Sequence, residues 1–409
     1  MVEHKHERSE PHTVGAWHGR STVSVTKCSS YERTAVLAAV RECLDNLGGI
    51  GRFVSKGDNI LLKPNMLSPK SPDKAVTTHP EIVRAAIRLV KEAGGTPVVG
   101  DTPGGLATES VLKNLADKTG IGQVCEEEGV EFVLLRESHK VPFPQGVAAK
   151  SFEIATRHAL VDGVISLAKF KTHSFTVLTG AVKNLFGLIP GLKKAEYHYR
   201  MQSAEAFSEL LVDLAECVKP RLTIMDGIAG MDGDGPAAGR PKNIGIVMAS
   251  ANVHALDAFM AELVGADPDS VPTILIARRR GLVSRDPRDI VVLGGDRTSF
   301  AIPDFEMPAA PTQFSKIPRA FVWVFGELFS RKPVFSKKSC TLCGQCIDVC
   351  PSKALAKDVG RPRIIRSLCF RCYCCSEVCT YDAVKLRRVP GRSIYGAMSA
   401  RTKRMVRKD

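Results

Sequence analysis

Nine of the thirteen cysteines fall between Cys340 and Cys379, and eight of them repeat one spacing: Cys340-x-x-Cys343-x-x-Cys346-x-x-x-Cys350-Pro351, then Cys369-x-x-Cys372-x-x-Cys375-x-x-x-Cys379-Thr380. No other feature of the 409 residues constrains the fold so tightly. Each iron of a cubane takes one thiolate from the protein, and two-residue spacers let one tight turn wrap three sulfurs around a single cluster. The fourth thiolate has to come from further away, and in paired runs each donates its last cysteine to the other. The spacing therefore predicts two 4Fe-4S clusters, one on Cys340, Cys343, Cys346 and Cys379 and one on Cys369, Cys372, Cys375 and Cys350. Zinc ribbons also use paired C-x-x-C units, but their four ligands come in separated pairs, whereas each run here carries four at cubane spacing. Cys374 is surplus, and no role is assigned to it. Crossed ligation sets the clusters side by side, which suits electron transfer one electron at a time. Positive charge around them, from Lys337, Lys338, Arg366 and Arg371, is expected to raise their reduction potential above that of an acidic ferredoxin.

Clustered thiols point to a reducing compartment and to metal rather than to disulfides. Cys28, Cys43, Cys125 and Cys217 have no second cysteine at ligand spacing and read as buried thiols. No apolar run approaches the roughly 18 residues of a membrane span, and the polar start of the chain lacks the apolar stretch of a signal peptide, so a cytoplasmic protein is expected. Charge is unevenly placed: residues 1–300 carry 36 Lys/Arg against 35 Asp/Glu, residues 301–409 carry 21 against 8. A basic C-terminal part favours an anionic partner, with an acidic redox protein as the expectation and contact with an anionic membrane surface as the alternative. Nucleic acid ranks last, because the basic tail has no interleaved aromatics for base stacking and the chain has no reading motif.

The chain divides by composition. Residues 1–20 are polar and aperiodic and read as disordered, their four histidines lacking a scaffold that would fix metal geometry. Residues 21–300 alternate short β-branched runs with helical stretches, the pattern of an α/β domain with a mainly parallel sheet covered by helices. The strand candidates are 59–62, 97–99, 131–135, 163–167, 222–225, 244–248 and 290–293. Ser29 or Ser30 is expected to cap a helix carrying Val36, Val40, Leu44 and Leu47, and Thr78-His79-Pro80-Glu81 reads as a capping box. Residues 301–336 form a proline-rich linker with a short apolar segment flanked by basic residues, too short to cross a bilayer. Residues 337–387 are expected to form a small α+β two-cluster domain, and 388–409 a basic tail.

In open α/β sheets ligands bind beyond the carboxyl ends of the strands. Those positions are polar here: Lys63-Pro64-Asn65, Asp101, Lys169-Phe170-Lys171-Thr172-His173 and Asp226, followed by Lys183-Asn184 in an apolar stretch. Lysines and a histidine near one edge make a cationic pocket for carboxylate or phosphate. No glycine run fits a dinucleotide or P-loop fingerprint, so a bound nucleotide is not supported.

Lys63-Pro64-Asn65, Thr78-His79-Pro80-Glu81, Gly100-Asp101, Lys169-x-Lys171-Thr172-His173 and Lys183-Asn184-x-x-Gly187 together resemble the family known as domain of unknown function 362, over most of residues 22–296. Residues 337–387 resemble the bacterial two-cluster ferredoxins, with Thr380 standing where a proline is usual. A further similarity, a Lys-x-His followed by a Gly/Pro loop, is to the lactate racemase scaffold with its nickel pincer cofactor. The reading that follows is an iron-sulfur oxidoreductase or redox accessory protein acting on a small anionic organic substrate. Lys169, Lys171 and Lys183 bind the anion, and His173 moves a proton because an ordinary imidazole titrates near neutral pH. Asn65 and Asn184 are expected to hydrogen-bond substrate, and Asp101 and Asp226 to orient the cations or bind a metal. The alternatives are an electron carrier whose large domain only docks a partner, and a metal or cofactor maturation protein.

Overall fold

The computed structural model describes residues 21–105, 108–133, 135–308 and 331–388. The polar N-terminus, the apolar segment of the linker and the basic tail lie outside them, apart from Arg331, Lys332 and Arg388. One mixed sheet organises the larger part. Its strands are β1 (Thr22–Lys27), β2 (Asn59–Pro64), β3 (Thr96–Val99), β6 (Gly163–His173), β7 (Val177–Thr179), β8 (Leu222–Asp232), β9 (Arg240–Ser250) and β10 (Val291–Leu293); β4 (Ser138–Pro142) and β5 (Ser151–Ala155) form a separate hairpin. The order is β10-β1-β9-β8-β6-β2-β3, with β7 folded back on β6. Strands β8, β6, β2 and β3 run parallel, and β9 is antiparallel to both β8 and β1.

The apolar run Ile60-Leu61-Leu62 does not alternate because both faces of β2 are covered. Ile60 and Leu62 pack with Val36, Val40 and Leu44 of the helix Arg33–Asp45 and with Ile82 and Ile87 of the helix Pro80–Glu92. Leu61 faces the other layer, with Phe207 and Leu211 of the helix Ala204–Val218. The carboxyl ends of the parallel strands thus open on one rim.

Local details differ from the sequence reading. The first helix is capped by Glu32, whose carboxylate accepts the Ala35 amide, so neither Ser29 nor Ser30 is its cap. Thr78 is not the cap of the second helix: its hydroxyl accepts from the Asn65 amide and donates to the Leu167 carbonyl, and the His79 Nδ1 accepts the Glu81 amide instead. Among the described residues of the expected strand 131–135, only Phe132 comes into register, beside Val99. Strands β6, β8 and β9 are longer than expected, and β1 and the β4–β5 hairpin were not read at all.

The cysteine part contains β11 (Arg331–Phe335), β12 (Leu355–Ala356), β13 (Arg363–Ile364) and β14 (Val384–Arg388). Antiparallel pairing of β11 with β14 places residues 331–335 in this module rather than in a linker. At the other end, Ile302 and Phe305 are buried against the α/β core. The two halves of the module are copies offset by 29 residues. Leu342 and Arg371, and Lys353 and Asp382, have matching positive φ, and Tyr373 adopts at φ 65° the left-handed conformation of Gly344. The sulfurs of Cys350 and Cys379 each accept the amide four residues on, from Ala354 and Ala383.

Candidate functional site

Strands β2 and β3 end on a buried ion pair, Lys63 Nζ to Asp101 Oδ1 at 2.9 Å. Burial pushes the Lys63 pKa down, and Asp101 opposes that shift. The other Asp101 oxygen accepts the Met66 amide at 2.7 Å. Gly187 is needed here because a Cβ would lie 2.1 Å from Asp101 Oδ1 and 2.4 Å from Lys63 Nζ. Asn184 clamps the same corner: its Oδ1 accepts from Lys63 (3.3 Å) and Asn65 (3.0 Å), and its Nδ2 donates to Ser166 Oγ at 2.9 Å. Asn65 passes the network on, its Oδ1 accepting from Lys171 Nζ at 2.8 Å. Lys171 also donates to the Val76 carbonyl at 2.7 Å, and burial followed by the nearby Lys183 holds its pKa well below the lysine range.

The short helix Ala181–Asn184 that presents Lys183 and Asn184 is fixed at its start by Asp257, whose carboxylate accepts the Ala181 and Val182 amides at 2.6 and 3.1 Å. Gly180 leaves room for that carboxylate, which a Cβ would meet at 2.0 Å. Burial raises the Asp257 pKa to about 6, the two amides opposing. Lys183 makes no hydrogen bond or ion pair among the described residues and lines the pocket.

Four of the expected residues border one pocket, Asn65, Asp101, Lys183 and Asn184, together with Lys194, His198, Cys374 and Glu377. The cavity of about 70 Å³ has room for about two waters or a ligand of a few heavy atoms, and not for a dinucleotide. Lys194 donates to the Thr102 and Pro103 carbonyls, and burial, reinforced by Lys63 and Lys183, brings its pKa down to about 7. His198 is stacked on Phe207 at 4.1 Å with its Nδ1 buried and unpaired; burial lowers its pKa to about 3.

The wall opposite these lysines belongs to the cysteine module. Val349, Cys374, Glu377 and Val378 line the pocket, and Glu377 Oε1 comes within 3.2 Å of His173 Nε2, off the line of a hydrogen bond. His173 Nδ1 accepts the Phe175 and Thr176 amides, so the neutral ring carries its proton on Nε2, facing that carboxylate. Burial, then Lys183, depresses the His173 pKa to about 4, which removes the near-neutral titration expected of it. Glu377 is held well below the carboxylate range: burial opposes ionisation, but Lys183 and His173 outweigh it. The docking is reinforced by Lys70, which donates to the Thr380 carbonyl and pairs with Asp382, both at 2.8 Å, and by an Arg331–Asp234 ion pair. Thr380, where a proline is usual, thus contributes a latch through its carbonyl.

Lys169 and Asp226 are elsewhere. Their register pairing on β6 and β8 sets them side by side on the opposite face, 2.7 Å apart, away from the pocket lining. Tyr31 donates to Asp226 (2.7 Å) and accepts from Lys169 (3.0 Å), and its ring stacks on His79 at 3.6 Å. Every member has a partner, which makes this a brace between the sheet and two helix starts.

The eight spaced cysteines gather in two sets. Cys340, Cys343, Cys346 and Cys379 surround one cavity. Cys350 lies with Cys369, Cys372 and Cys375, close enough for mutual electrostatic effects on their thiols. Four soft sulfur donors in each set are the donor chemistry of an iron-sulfur cubane. The first set is outward, with Cys343 exposed; the second is inward, with Cys350, Cys372 and Cys375 buried.

Sequence reasoning missed Lys194, His198 and Glu377. The first two sit on the helix Lys193–Arg200, outside any strand end. Glu377 carried a signal only in hindsight, as a carboxylate in the cysteine spacer of a module otherwise rich in Lys and Arg.

Residues 60–262 match the family described as domain of unknown function (DUF362), and residues 332–380 match a 4Fe-4S dicluster domain, so the chain binds 4Fe-4S iron-sulfur. A thylakoid-associated protein of Synechocystis sp. (strain ATCC 27184 / PCC 6803 / Kazusa) is 36% identical over 262 residues, which cover 64% of this chain and 80% of that protein. Two solved structures overlap more loosely. The lactate racemase apoprotein of Thermoanaerobacterium thermosaccharolyticum has a TM-score of 0.40 at 14% identity, covering 60% of this chain and 57% of that one. A Thermotoga maritima protein has a TM-score of 0.33 at 10% identity, covering 53% and 54%. The chain spans little more than half of either structure, and neither bears on the pocket's chemistry. Among the described residues no helix is long and apolar enough to cross a membrane. Sequence identity to the relative and the two domain matches agree: the chain belongs to the DUF362 family, here joined to a C-terminal 4Fe-4S dicluster domain.

Proposed function

We propose that the protein is an iron-sulfur oxidoreductase that carries electrons to a small organic anion, of carboxylate size, held in the pocket between its two parts. The observation that carries this reading is the shared wall: Cys374, Glu377 and Val378, interleaved with the inward cysteines, face Lys183 and Lys194 across the cavity. The eight spaced cysteines would hold two 4Fe-4S clusters, the outward set with Cys379 as fourth ligand and the inward set with Cys350. Bound clusters supply electrons one at a time. Lys183 and Lys194 attract the anion, Asn65 and Asn184 orient it by hydrogen bonds, and the Lys63–Asp101 pair keeps the corner rigid. Lys171 acts through Asn65 rather than on the ligand. His173, neutral and behind Glu377, holds a proton on Nε2 at the module boundary.

A dedicated carrier fits less well, since the inward set is already covered by the chain's own α/β domain. Free clustered thiols support a reducing compartment such as the cytoplasm, and the thylakoid association of the Synechocystis relative supports one in contact with a membrane system. The test is anaerobic purification, expected to give about eight irons per chain, followed by titration with small mono- and dicarboxylates while the electron paramagnetic resonance of the reduced protein is recorded. Binding that perturbs one cluster's signal, and is lost in Lys183→Met with iron content intact, supports the reading. Carboxylates and phosphate that leave both signals unchanged would sink it.

A further inference from the structure

We infer that the outward face of the cysteine module, centred on Cys343, is a docking surface for an acidic one-electron carrier protein. The inference rests on 4Fe-4S binding and not on what the pocket takes.

Between residues 331 and 388 the module has thirteen Lys/Arg and four Asp/Glu. The four carboxylates are not spread evenly. Glu377 is turned into the pocket, Asp382 is engaged by Lys70 of the α/β domain, and Asp358 lies 4.0 Å from Arg363, which leaves Asp348 as the one acidic group without an ion pair among the described residues. Docking of the module on its own large domain therefore uses up acidic groups and leaves the outward surface basic. Lys337 and Lys338 are exposed beside the outward cysteines, and Arg361 is anchored there by donating to the Phe335 carbonyl at 2.9 Å.

Within that rim is an apolar centre. Leu342 and Tyr381 are 53% and 51% exposed, and both line the cavity of Cys340, Cys343, Cys346 and Cys379. Leu342 precedes the exposed Cys343 and is held outward by its left-handed backbone, φ 58°. A small apolar spot over a redox ligand, ringed by one sign of charge, has the make-up of a transient redox interface: the charges steer the encounter and the apolar centre sets the approach. The complementary partner is acidic around an apolar contact of its own, an acidic ferredoxin or flavin carrier. Such a partner would exchange one electron per encounter and no atoms, its own centre being oxidised as the cluster that the outward cysteines would hold is reduced. A lipid surface would use the same lysines but has no need of a spot centred on a cluster ligand.

The test measures binding of an acidic plant-type ferredoxin to the anaerobically purified full-length protein by fluorescence anisotropy across a salt series. Affinity is expected to fall steeply with salt, and to drop about tenfold or more in Lys337→Glu/Lys338→Glu at low salt. Leu342→Asp weakens binding without reducing the basic rim. Lys113→Glu/Lys118→Glu, an equal charge change on the exposed helix Glu109–Thr119, leaves it unchanged. Iron content and the reduction rate with a viologen dication, which the basic rim repels, report whether the variants still carry clusters. Equal affinity for wild type and the Lys337/Lys338 variant at matched iron content overturns the inference. So does an equal loss in the Lys113/Lys118 variant, or variants that lose retention on vesicles of equal phosphatidylcholine and phosphatidylserine while binding ferredoxin normally.

Discussion

The two halves of the cysteine module share a backbone and differ in everything that surrounds it. In the first half Leu342, Gln345 and Asp348 are exposed; at the matching positions of the second, Arg371 is half-buried, Cys374 is buried and Glu377 faces His173 of the α/β domain. Where the first half uses Gly344 in the left-handed region, the second uses Tyr373, whose ring joins the main α/β core and whose hydroxyl donates to the Arg331 carbonyl at 3.1 Å. A side chain in that conformation costs about 1–2 kcal/mol, which burial of an aromatic ring offsets. One repeated backbone with only one of its copies docked gives the module two unlike ends, one toward solvent and one toward a polar pocket.

Cysteine substitution breaks the comparison most severely. Cys343→Ser and Cys372→Ser are each expected to remove about half the iron, since each deprives one cubane of a ligand. Only Cys372→Ser should also loosen the pocket, because its turn carries Cys374 and Glu377. Iron analysis with ligand titration alongside separates the two; equal loss of ligand binding in both variants would mean that the halves are not functionally distinct.

A second contrast sets the wall facing the inward half against the exposed half. Asp101→Ala leaves Lys63 buried without its carboxylate, and loss of one partner from such a pair costs about 3–5 kcal/mol. Asp348→Ala, on the exposed counterpart of Glu377, stays within about 0.5 kcal/mol. Thermal unfolding of the two variants measures the difference. Lys183→Ala should abolish ligand binding and cost more stability than Asp348→Ala, since it removes the charge that holds buried Glu377 ionised.

Tyr373→Ala keeps the left-handed backbone and removes the ring, so it isolates burial: about 3 kcal/mol lost, with the module released from the α/β domain. Gly344→Ala adds only strain, about 1–2 kcal/mol, since its Cβ meets nothing closer than 3.9 Å. Hydrogen exchange at the β11–β14 ladder should rise strongly in the first variant and little in the second.

Much of this was legible in the sequence. Cysteine spacing anticipated how the eight thiols group in space, because short spacers force a local turn. The rule that ligands sit beyond parallel strand ends found Asn65, Asp101, Lys183 and Asn184. It also collected Lys169 and Asp226: alternation alone would keep Lys169 on one face with Lys171, and the register shift between them in the β6–β8 pairing could not be read from residue types. His173 was located, but its burial, and with it the loss of near-neutral titration, depends on packing from Lys183 and from a module about 200 residues away. Glu377 and the latch at Lys70 were invisible for the same reason: docking of two parts leaves no periodic mark in either.

The smallest effect sharpens the inward end alone. Lys194 has its pKa lowered to about 7, by burial first and then by Lys63 and Lys183, with Asp101 opposing. An anion in the pocket favours the ammonium form, so ligand affinity is fully present below pH 7 and declines as pH rises through and above it, by up to about tenfold per unit while a single proton is linked. Stability moves the other way over the same range: an unfolded lysine still holds the proton that the folded one has lost, so this group makes the fold more stable as pH rises from about 7 toward 10. Weakening of the ligand above pH 7 is therefore not unfolding. Isothermal titration from pH 6 to pH 9 should show the decline in wild type and a flat, weaker profile in Lys194→Gln. A decline that persists in Lys194→Gln would assign the proton to another group in the pocket.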